Sequence, residues 1–539
     1  MSEGASIRRA RRPARRVALA LLLALVVASG VFVYRFAAAP VEERPCLYTY
    51  PLQGDAADLN IAYESLDGSP LTVLQRGGVI NDASCLNRTP VYAIVEIRSE
   101  EALRAALTLA RENSLKVTPA GERHSMGGHS FSRGGLVLDM RGLDAIRVDR
   151  DAMTMTVGSG ATWKKVQAVL DPMGLAVKAM QSINIFTVGG TLSVNAHGVA
   201  HDPGQIAPTV RSLRIMLTSG EVLTASPTQN AELFGAVLGG YGLVGIIVDA
   251  TLDIVPNDVY EWRTEYIDFG EFPEHFRRKV VGNPDVALMY ARLSIAPDTY
   301  LAETAVHTYL HTDLDIPPEP LGPPVKVALK RLIFNVSKTG GAGRWIRWNV
   351  EKHLEPGVHT CIERVDEATG KPAEACVASR NQKMNQSMEY LDTRLDDTNI
   401  LQEYFIPLDE TPAFIGGLRR IALDTEVNLV NVTLRIVTRD TVTALPYAKD
   451  DRIAFVLYFN QKLEDDDSRR LEQATRELID LAIRHGGTFY LPYQLHYSPQ
   501  QLRAAYPEVD RFFELKRRFD PAGLLSNAWY EKYGPQSAN

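Results

Sequence analysis

The chain has 539 residues, 45% hydrophobic and 23% charged, enough for a large core divided among two or three domains. Its net charge of −7 is uneven: residues 1–38 hold seven arginines against one glutamate, a local +6, which leaves about −13 on the remainder. An acidic body repels phosphate backbones, so the composition argues against a nucleic-acid partner and for a small, neutral substrate.

The N-terminus comes first in chain order. Arg8, Arg9, Arg11, Arg12, Arg15 and Arg16 precede an apolar run, Val17–Tyr34, which Phe36 and an alanine stretch continue. About 20 apolar residues cross a bilayer, and Arg35 near the far end can snorkel to the headgroups. The reading is a basic cytoplasmic segment (1–16), one transmembrane signal-anchor (17–38) and a body held outside the cytoplasm, as the positive-inside rule directs. The alternative is a signal peptide cleaved near Ala37–Ala39, although the apolar run exceeds the usual ~7–15 residues. Residues 39–85, with weak periodicity, read as a stalk. Cys46, Cys85, Cys361 and Cys376 include no CxxC pair, so no metal site is expected. In an oxidising compartment Cys46–Cys85 and Cys361–Cys376 are reasonable disulfides. Four cysteines permit three pairings, and free buried thiols are the alternative.

From Pro90 the pattern sharpens. Residues 91–97 read as a strand; Ser99 caps a helix running to Asn113, with Glu101 in its first turn; 115–119 is a second strand. A polar, Gly-rich loop follows (121–132), then a strand at 136–139, a strand pair at 146–148 and 154–157, and a helix at 162–170. Residues 186–198 are rich in Gly and Thr. A hairpin (210–217 and 221–224), a helix (230–238), a glycine run (239–245) and a strand (246–254) complete this part. After Pro256 the texture changes to longer strands, 427–437 and 453–460, and a helix at 468–485. Residues 316–324 are a Pro-rich loop. From Gly486 the chain is turn-rich again.

Three glycine loops carry the chemistry. The first, Gly121-Glu-Arg-His-Ser-Met-Gly-Gly-His-Ser, places two imidazoles among glycines that let the backbone approach a ligand. Successive N–H groups in such a loop can cradle a pyrophosphate. The second, Thr187-Val-Gly-Gly-Thr-Leu-Ser-Val-Asn-Ala-His-Gly, again combines glycines, hydroxyls and an imidazole. In the third, Gly240, Gly242 and Gly245 satisfy G-x-G-x-x-G, but this run follows a helix and precedes a strand. That is the reverse of the Rossmann order, so a nicotinamide site is disfavoured. Three such loops within about 125 residues indicate one large, phosphate-bearing ligand.

With Lys516-Arg-Arg-Phe-Asp-Pro-Ala-Gly-Leu-Leu-Ser-Asn at the C-terminus, these motifs in this order resemble the PCMH-type flavoprotein superfamily of vanillyl-alcohol oxidase and p-cresol methylhydroxylase. The resemblance covers about 90–256 and returns at the C-terminus. It is nearest to the cytokinin dehydrogenases and to the aldonolactone and alditol oxidases. It implies an α+β fold of two lobes: an FAD-binding domain (86–257 with the return, 486–539) and an antiparallel-sheet substrate domain (258–485). It implies FAD as cofactor, in covalent histidyl form, with His124 matching the flavin-linked histidine of the Arg-Gly-His-Ser loop. Gly121, Arg123, Ser125, Gly127 and Gly128 accompany it. The second loop then contributes Gly189, Gly190, Thr191, Ser193, Asn195, His197 and Gly198, and the third Gly239, Gly240, Gly242, Gly245 and Ile246.

The chain departs from both branches. Where cytokinin dehydrogenases carry a catalytic Asp, this sequence has Ser182. The Glu-x-Arg of the sugar oxidases reads Thr433-Leu434-Arg435, and their C-terminal Lys is missing from Tyr490–Tyr497. Arg435, on an apolar strand, is the expected cation beside the reduced ring, with an ion pair of purely structural role as the alternative. His496 and Tyr493 are the candidate bases, and Tyr404 a hydrogen-bonding residue. The expected activity is an FAD-dependent oxidase or dehydrogenase of a small alcohol, lactone or amine, giving electrons to oxygen, quinone or another acceptor. A membrane-tethered respiratory dehydrogenase is one alternative, and a flavin-bound binding protein without catalysis is another.

Overall fold

The computed structural model describes residues 66–535 apart from 313–315, 324–325, 355–359, 366–371 and 386–396, together with Gly30, Val31, Val33 and Tyr34. The span expected at 17–38 lies outside the described residues except for those four. Among the described residues no helix is long and apolar enough to cross a membrane.

The first lobe is built on two sheets. One has β1 (Thr72–Arg76), β2 (Ala93–Glu96), β3 (Val117–Ala120) and β4 (Leu136–Asp139) in the order β1-β2-β4-β3, with β4 parallel to both β2 and β3. Helix α1 (Glu100–Glu112) makes the crossover between β2 and β3. Ser99 caps it by accepting from the Ala102 amide at 3.2 Å, and Glu100 and Glu101 sit at its positive end. Leu103, Ala106, Leu107 and Ala110 repeat at helical spacing and are all buried.

The second sheet is antiparallel: β5 (Ile146–Asp149), β6 (Thr154–Gly158), β7 (Leu175–Val177), β8 (Val210–Met216), β9 (Val222–Ala225) and β10 (Ile246–Pro256), in the order β9-β8-β10-β6-β5, with β7 on the far end of β10. Helix α2 (Trp163–Leu170) is capped by Thr162. The short α3 (Val188–Ser193) and α4 (Ala231–Val237) lead into the second and third glycine loops.

Residues 66–85, expected as stalk, belong to this lobe. Strand β1 pairs antiparallel with β2, and Asn81, Asp82 and Ser84 are buried. The weak periodicity has a physical cause: its buried apolar residues, Leu66, Leu71 and Ile80, are irregularly spaced, and polar contacts to a loop supply the rest. Of the cysteines, Cys361 and Cys376 form a disulfide between directly opposed residues of two strands. Cys85 is also disulfide-bonded, and Cys46 lies outside the described residues.

The second lobe begins where the texture changes. A nine-stranded sheet, antiparallel throughout, runs from β11 (Val259–Asp268) through β12 (Val286–Leu293), β13 (Glu303–His311), β14 (Thr360–Val365), β15 (Pro372–Ser379), β16 (Asp397–Pro407), β17 (Asn428–Val437) and β18 (Arg452–Lys462) to β19 (Thr488–Phe489). Its order is β14-β15-β11-β13-β12-β17-β18-β16-β19. Because β19 pairs with Tyr404 and Phe405, the return to the first lobe starts just after it rather than at 486.

The return is fixed by a buried ion pair. Asp520 accepts from the amides of Leu524 (2.9 Å) and Leu525 (2.8 Å) and from the Thr218 hydroxyl (3.1 Å), and it pairs with Lys516, whose side chain is 1% exposed. Asp520 thus turns the chain ahead of Pro521, a structural role. Removing one partner of such a pair leaves a buried charge uncompensated. Asp520→Asn is therefore expected to destabilise the protein by about 3–5 kcal/mol, seen as a lower denaturation midpoint, and an unchanged midpoint would refute the assignment.

Candidate active site

The three loops converge on one cavity of about 1090 Å³ between the lobes. The first-loop residues Gly121, Arg123, His124 and Ser125 line it. So do Gly189, Gly190, Thr191, Ser193 and His197 of the second loop, and Gly242, Gly245 and Ile246 of the third. Arg435, Tyr493 and Ser182 line it as well. The His124 ring lies against Phe186, with centroids 4.5 Å apart.

Six of the expected cofactor residues stand behind this wall and shape it. A side chain at Gly127 would run into the Tyr493 carbonyl, and one at Gly198 into that of Met180. The Gly128 amide donates to Asp82 at 2.9 Å. Asn195 donates to Asp440 and accepts from the Ala207 amide. The amides of Gly239 and Gly240 bond to the carbonyls of Leu192 and Val237. Residues 188–193, read from sequence as loop, form the short helix α3. Gly189 there packs on Ser159, whereas Gly190 opens toward the cavity.

Two of the proposed catalytic residues are elsewhere. Tyr404 is buried on the opposite face of β16, with its hydroxyl donating to Gln402 at 2.7 Å and its ring against Phe414. Strand alternation makes this unavoidable: if residue 403 faces the cavity, residue 404 cannot. His496 is not among the cavity-lining residues. Its carbonyl accepts from Arg476, and burial lowers its imidazole to about 4.

The residue that does face the cavity is Glu403, in the segment that supplied Tyr404. Its carboxylate is 7% exposed and accepts from His197 Nε2 at 2.5 Å on one oxygen and from the Tyr493 hydroxyl on the other. Arg435 reaches the His197 carbonyl at 3.3 Å. Burial alone would raise the Glu403 carboxyl. The charges of His197 and Arg435, with the hydrogen bonds from His197 and Tyr493, outweigh it and hold the group below the usual carboxylate range. Burial first, and then the Glu403 charge, push the Tyr493 phenol well up. Burial lowers the Arg435 guanidinium, and Glu403 opposes that. The site is therefore an ionised carboxylate with a neutral tyrosine and a cation around it.

The register explains where the carboxylate comes from. Thr433 on β17 faces Val456 on β18, which faces Glu403 on β16, and all three line the cavity. The Glu missing from the Glu-x-Arg pattern at 433 is thus replaced by one in the same row, two strands away. A charged residue inside the apolar strand Ile400–Ile406 was the available sequence signal.

A second feature lay in the presumed stalk. Asp82, fully buried, accepts from the Gly128 and Ser84 amides and from Asn87 Nδ2, while Ala83 donates to the Arg123 carbonyl at 3.0 Å. Burial raises the Asp82 carboxyl. Asp82→Ala leaves these donors unsatisfied at about 1–3 kcal/mol each. The expected result is a less stable protein whose His124 loop is disordered, read as lost flavin content per folded chain; full flavin content would count against the brace.

The cavity fits an FAD. Ser159 Oγ, Gln181 Oε1 and Ser182 Oγ line it, buried and without a hydrogen-bond partner among the described residues, as groups awaiting a polar ligand do. A side chain at Gly121 would collide with Thr187, so backbone there comes close to the wall of the second loop. Three glycine-rich loops, a cavity between an α+β lobe and an antiparallel sheet, and a buried acid–cation cluster joined to the second loop at His197 define a flavin-binding oxidoreductase fold. Comparison with known proteins gives the family. Residues 91–226 match the FAD binding domain family and residues 343–533 match D-arabinono-1,4-lactone oxidase. The chain belongs to the PCMH-type FAD-binding oxidoreductases.

Among curated relatives, a decaprenylphosphoryl-beta-D-ribose oxidase of Mycolicibacterium smegmatis is 32% identical over 162 residues, 30% of this chain and 35% of that protein. Cytokinin dehydrogenase 9 of Oryza sativa subsp. japonica is 34% identical over 180 residues, 32% and 34% of the two chains. An uncharacterized oxidoreductase of Rhodococcoides fascians, from a fasciation locus, is 30% identical over 192 residues, 35% and 43%. In each case the match spans less than half of the relative's length.

Proposed function

We propose that the protein is an FAD-dependent oxidoreductase that removes a hydride and a proton from a small hydroxyl- or amine-bearing substrate, with the flavin bonded covalently to His124. The observation that carries this reading is the buried Glu403–Tyr493 pair, which lines the same cavity as the glycine loops and touches the second of them at His197. FAD, when bound, supplies the two-electron acceptor. The three loops would hold it, with His124 as the point of attachment, and Arg435, Tyr493 and Glu403 line the same cavity.

The chain's own groups then handle the proton. A substrate hydroxyl donates to the Tyr493 oxygen while the Tyr493 proton passes to Glu403, so a phenol too weakly acidic to ionise still relays. Glu403 need not be a strong base, because an oxygen becoming a carbonyl loses its proton readily. Arg435 orients the substrate oxygen and balances negative charge that develops during the reaction. His197 fixes the Glu403 carboxylate in place.

The test is reduction of the purified yellow protein under anaerobic conditions by a panel of alcohols, lactones and amines, followed by reoxidation with oxygen, dye or quinone. Bleaching by a member of the panel supports the reading, and the acceptor that restores colour separates oxidase from dehydrogenase. A flavin that no panel member bleaches would sink it in favour of a binding role. The basic segment and apolar run at the N-terminus support a second reading, in which a membrane-anchored body outside the cytoplasm passes electrons to a membrane quinone.

A further inference from the structure

Helices α5 (Val327–Ser337) and α6 (Gly341–Leu354) form a hairpin against the second lobe. Its inner side is spoken for: Phe334, Arg347 and Trp348 are buried. Its outer side is unusual. Leu329 is 52% exposed, Trp345 48% and Ile346 45%. Three large apolar residues are thus exposed on a single helical hairpin.

The hairpin also differs in charge from the rest of the chain. Residues 326–353 contain seven Lys and Arg and a single Glu, a local +6 in a chain of −7. Lys338 and Lys352 pair with Asp397 and Glu303 of neighbouring elements. Lys326 and Lys330, both exposed, bracket Leu329 at the start of α5. Tryptophan and leucine with flanking lysines on a helical surface are the composition of segments that lie in the interface of an anionic bilayer.

The position of the hairpin gives this a use. Val327, Leu329, Lys330 and Val350 also line the cavity between the lobes. Leu329 is both half-exposed and part of the cavity wall, so the cavity opens beside the apolar face.

We infer that the α5–α6 hairpin docks on an anionic lipid surface, with Leu329, Trp345 and Ile346 entering the headgroup region and Lys326 and Lys330 meeting lipid phosphates, so that the cavity opens onto the membrane. Lipid is favoured over a protein partner because the apolar residues are interleaved with cations and the charge complements phosphate. The inference stands on the surface alone and does not rest on the redox reading.

Trp345 supplies its own probe. The other four tryptophans, Trp163, Trp262, Trp348 and Trp529, are 0–8% exposed. The full-length, flavin-loaded protein would be reconstituted into vesicles of brominated phosphatidylglycerol, and separately of brominated phosphatidylcholine, with unbrominated vesicles as reference. The expected result is quenching in the anionic brominated vesicles, by roughly the share of one tryptophan in five, absent from Trp345→Phe and weakened by Lys326→Glu with Lys330→Glu.

Incorporated protein whose fluorescence is unchanged by bromine overturns the proposal, since attachment through another segment leaves Trp345 out of reach. Equal quenching by the neutral lipid overturns its electrostatic half. Shielding of Trp345 from acrylamide without bromolipid quenching overturns it in favour of a protein cover. The flavin spectrum of the same samples reports separately on the redox site.

Discussion

Glu403→Gln is expected to lower kcat by about 10²–10⁴-fold while the protein stays folded and yellow. The substitution keeps the size of the side chain and an oxygen for the Tyr493 hydroxyl to donate to. It removes the negative charge that the relay delivers its proton to, and the charge that His197 and Arg435 surround. The pH dependence separates this role from a structural one. The folded carboxyl lies below its ordinary value, so it is ionised, and the site competent, above the usual carboxylate range. Competence is lost only as pH falls through the depressed folded value. The wild-type rate of flavin reduction should therefore show an acid limb below the usual Glu value of about 4.3, and the Gln variant should lack it. A Gln variant that keeps both the rate and the limb would show that Glu403 only braces the strand. Tyr493→Phe should fall by a similar factor, because it breaks the same relay one atom earlier.

The second large effect concerns the cofactor. His124→Ala should abolish covalent flavin altogether: on acid precipitation the colour should move from the pellet to the supernatant. The imidazole lines the cavity among the residues of the first loop, with the Phe186 ring tilted against it at 4.5 Å. Folding should survive, since His124 is partly exposed and no core cluster depends on it. The neighbouring His129 serves as the internal control. It is 6% exposed, set beside Tyr241 at 5.6 Å, and burial lowers its ring to about 3. If the pellet of the His124 variant stays yellow, His129 becomes the linked residue and the geometry of the first loop has to be reassigned.

The parts of this protein that sequence made legible are those with a local physical signature. Ser99, two glutamates and a 3–4 apolar repeat determine α1 almost to the residue. The long strands read at 427–437 and 453–460 are in the large sheet as Asn428–Val437 and Arg452–Lys462. The three loops were legible because close backbone approach demands glycine. Other features have no local signature. A pair of glycines disfavours a helix, so α3 could be stabilised only by the walls around it. The brace at Asp82 depends on a loop some forty residues away. Glu403 was passed over for its neighbour Tyr404 because the sequence does not say which phase of a buried strand faces the cavity. Once Thr433 is placed in register with Glu403, the missing Glu-x-Arg carboxylate and the unexplained charge on β16 become a single fact.

The stitching of residues 524–528 has a temporal side. Leu525 bridges to Val117, the Ser526 carbonyl takes the Thr118 hydroxyl, Asn527 holds the Tyr241 carbonyl, and the Ala528 amide bonds to the Gly128 carbonyl. The first and third flavin loops are therefore clamped by a segment the ribosome makes some four hundred residues after the strands it joins. The nine-stranded sheet can form while the chain is still being synthesised, but the first lobe cannot close until that tail arrives. Flavin capture then becomes a late, post-synthetic event, and an unloaded chain would pass through a stage with one lobe finished and the other still open.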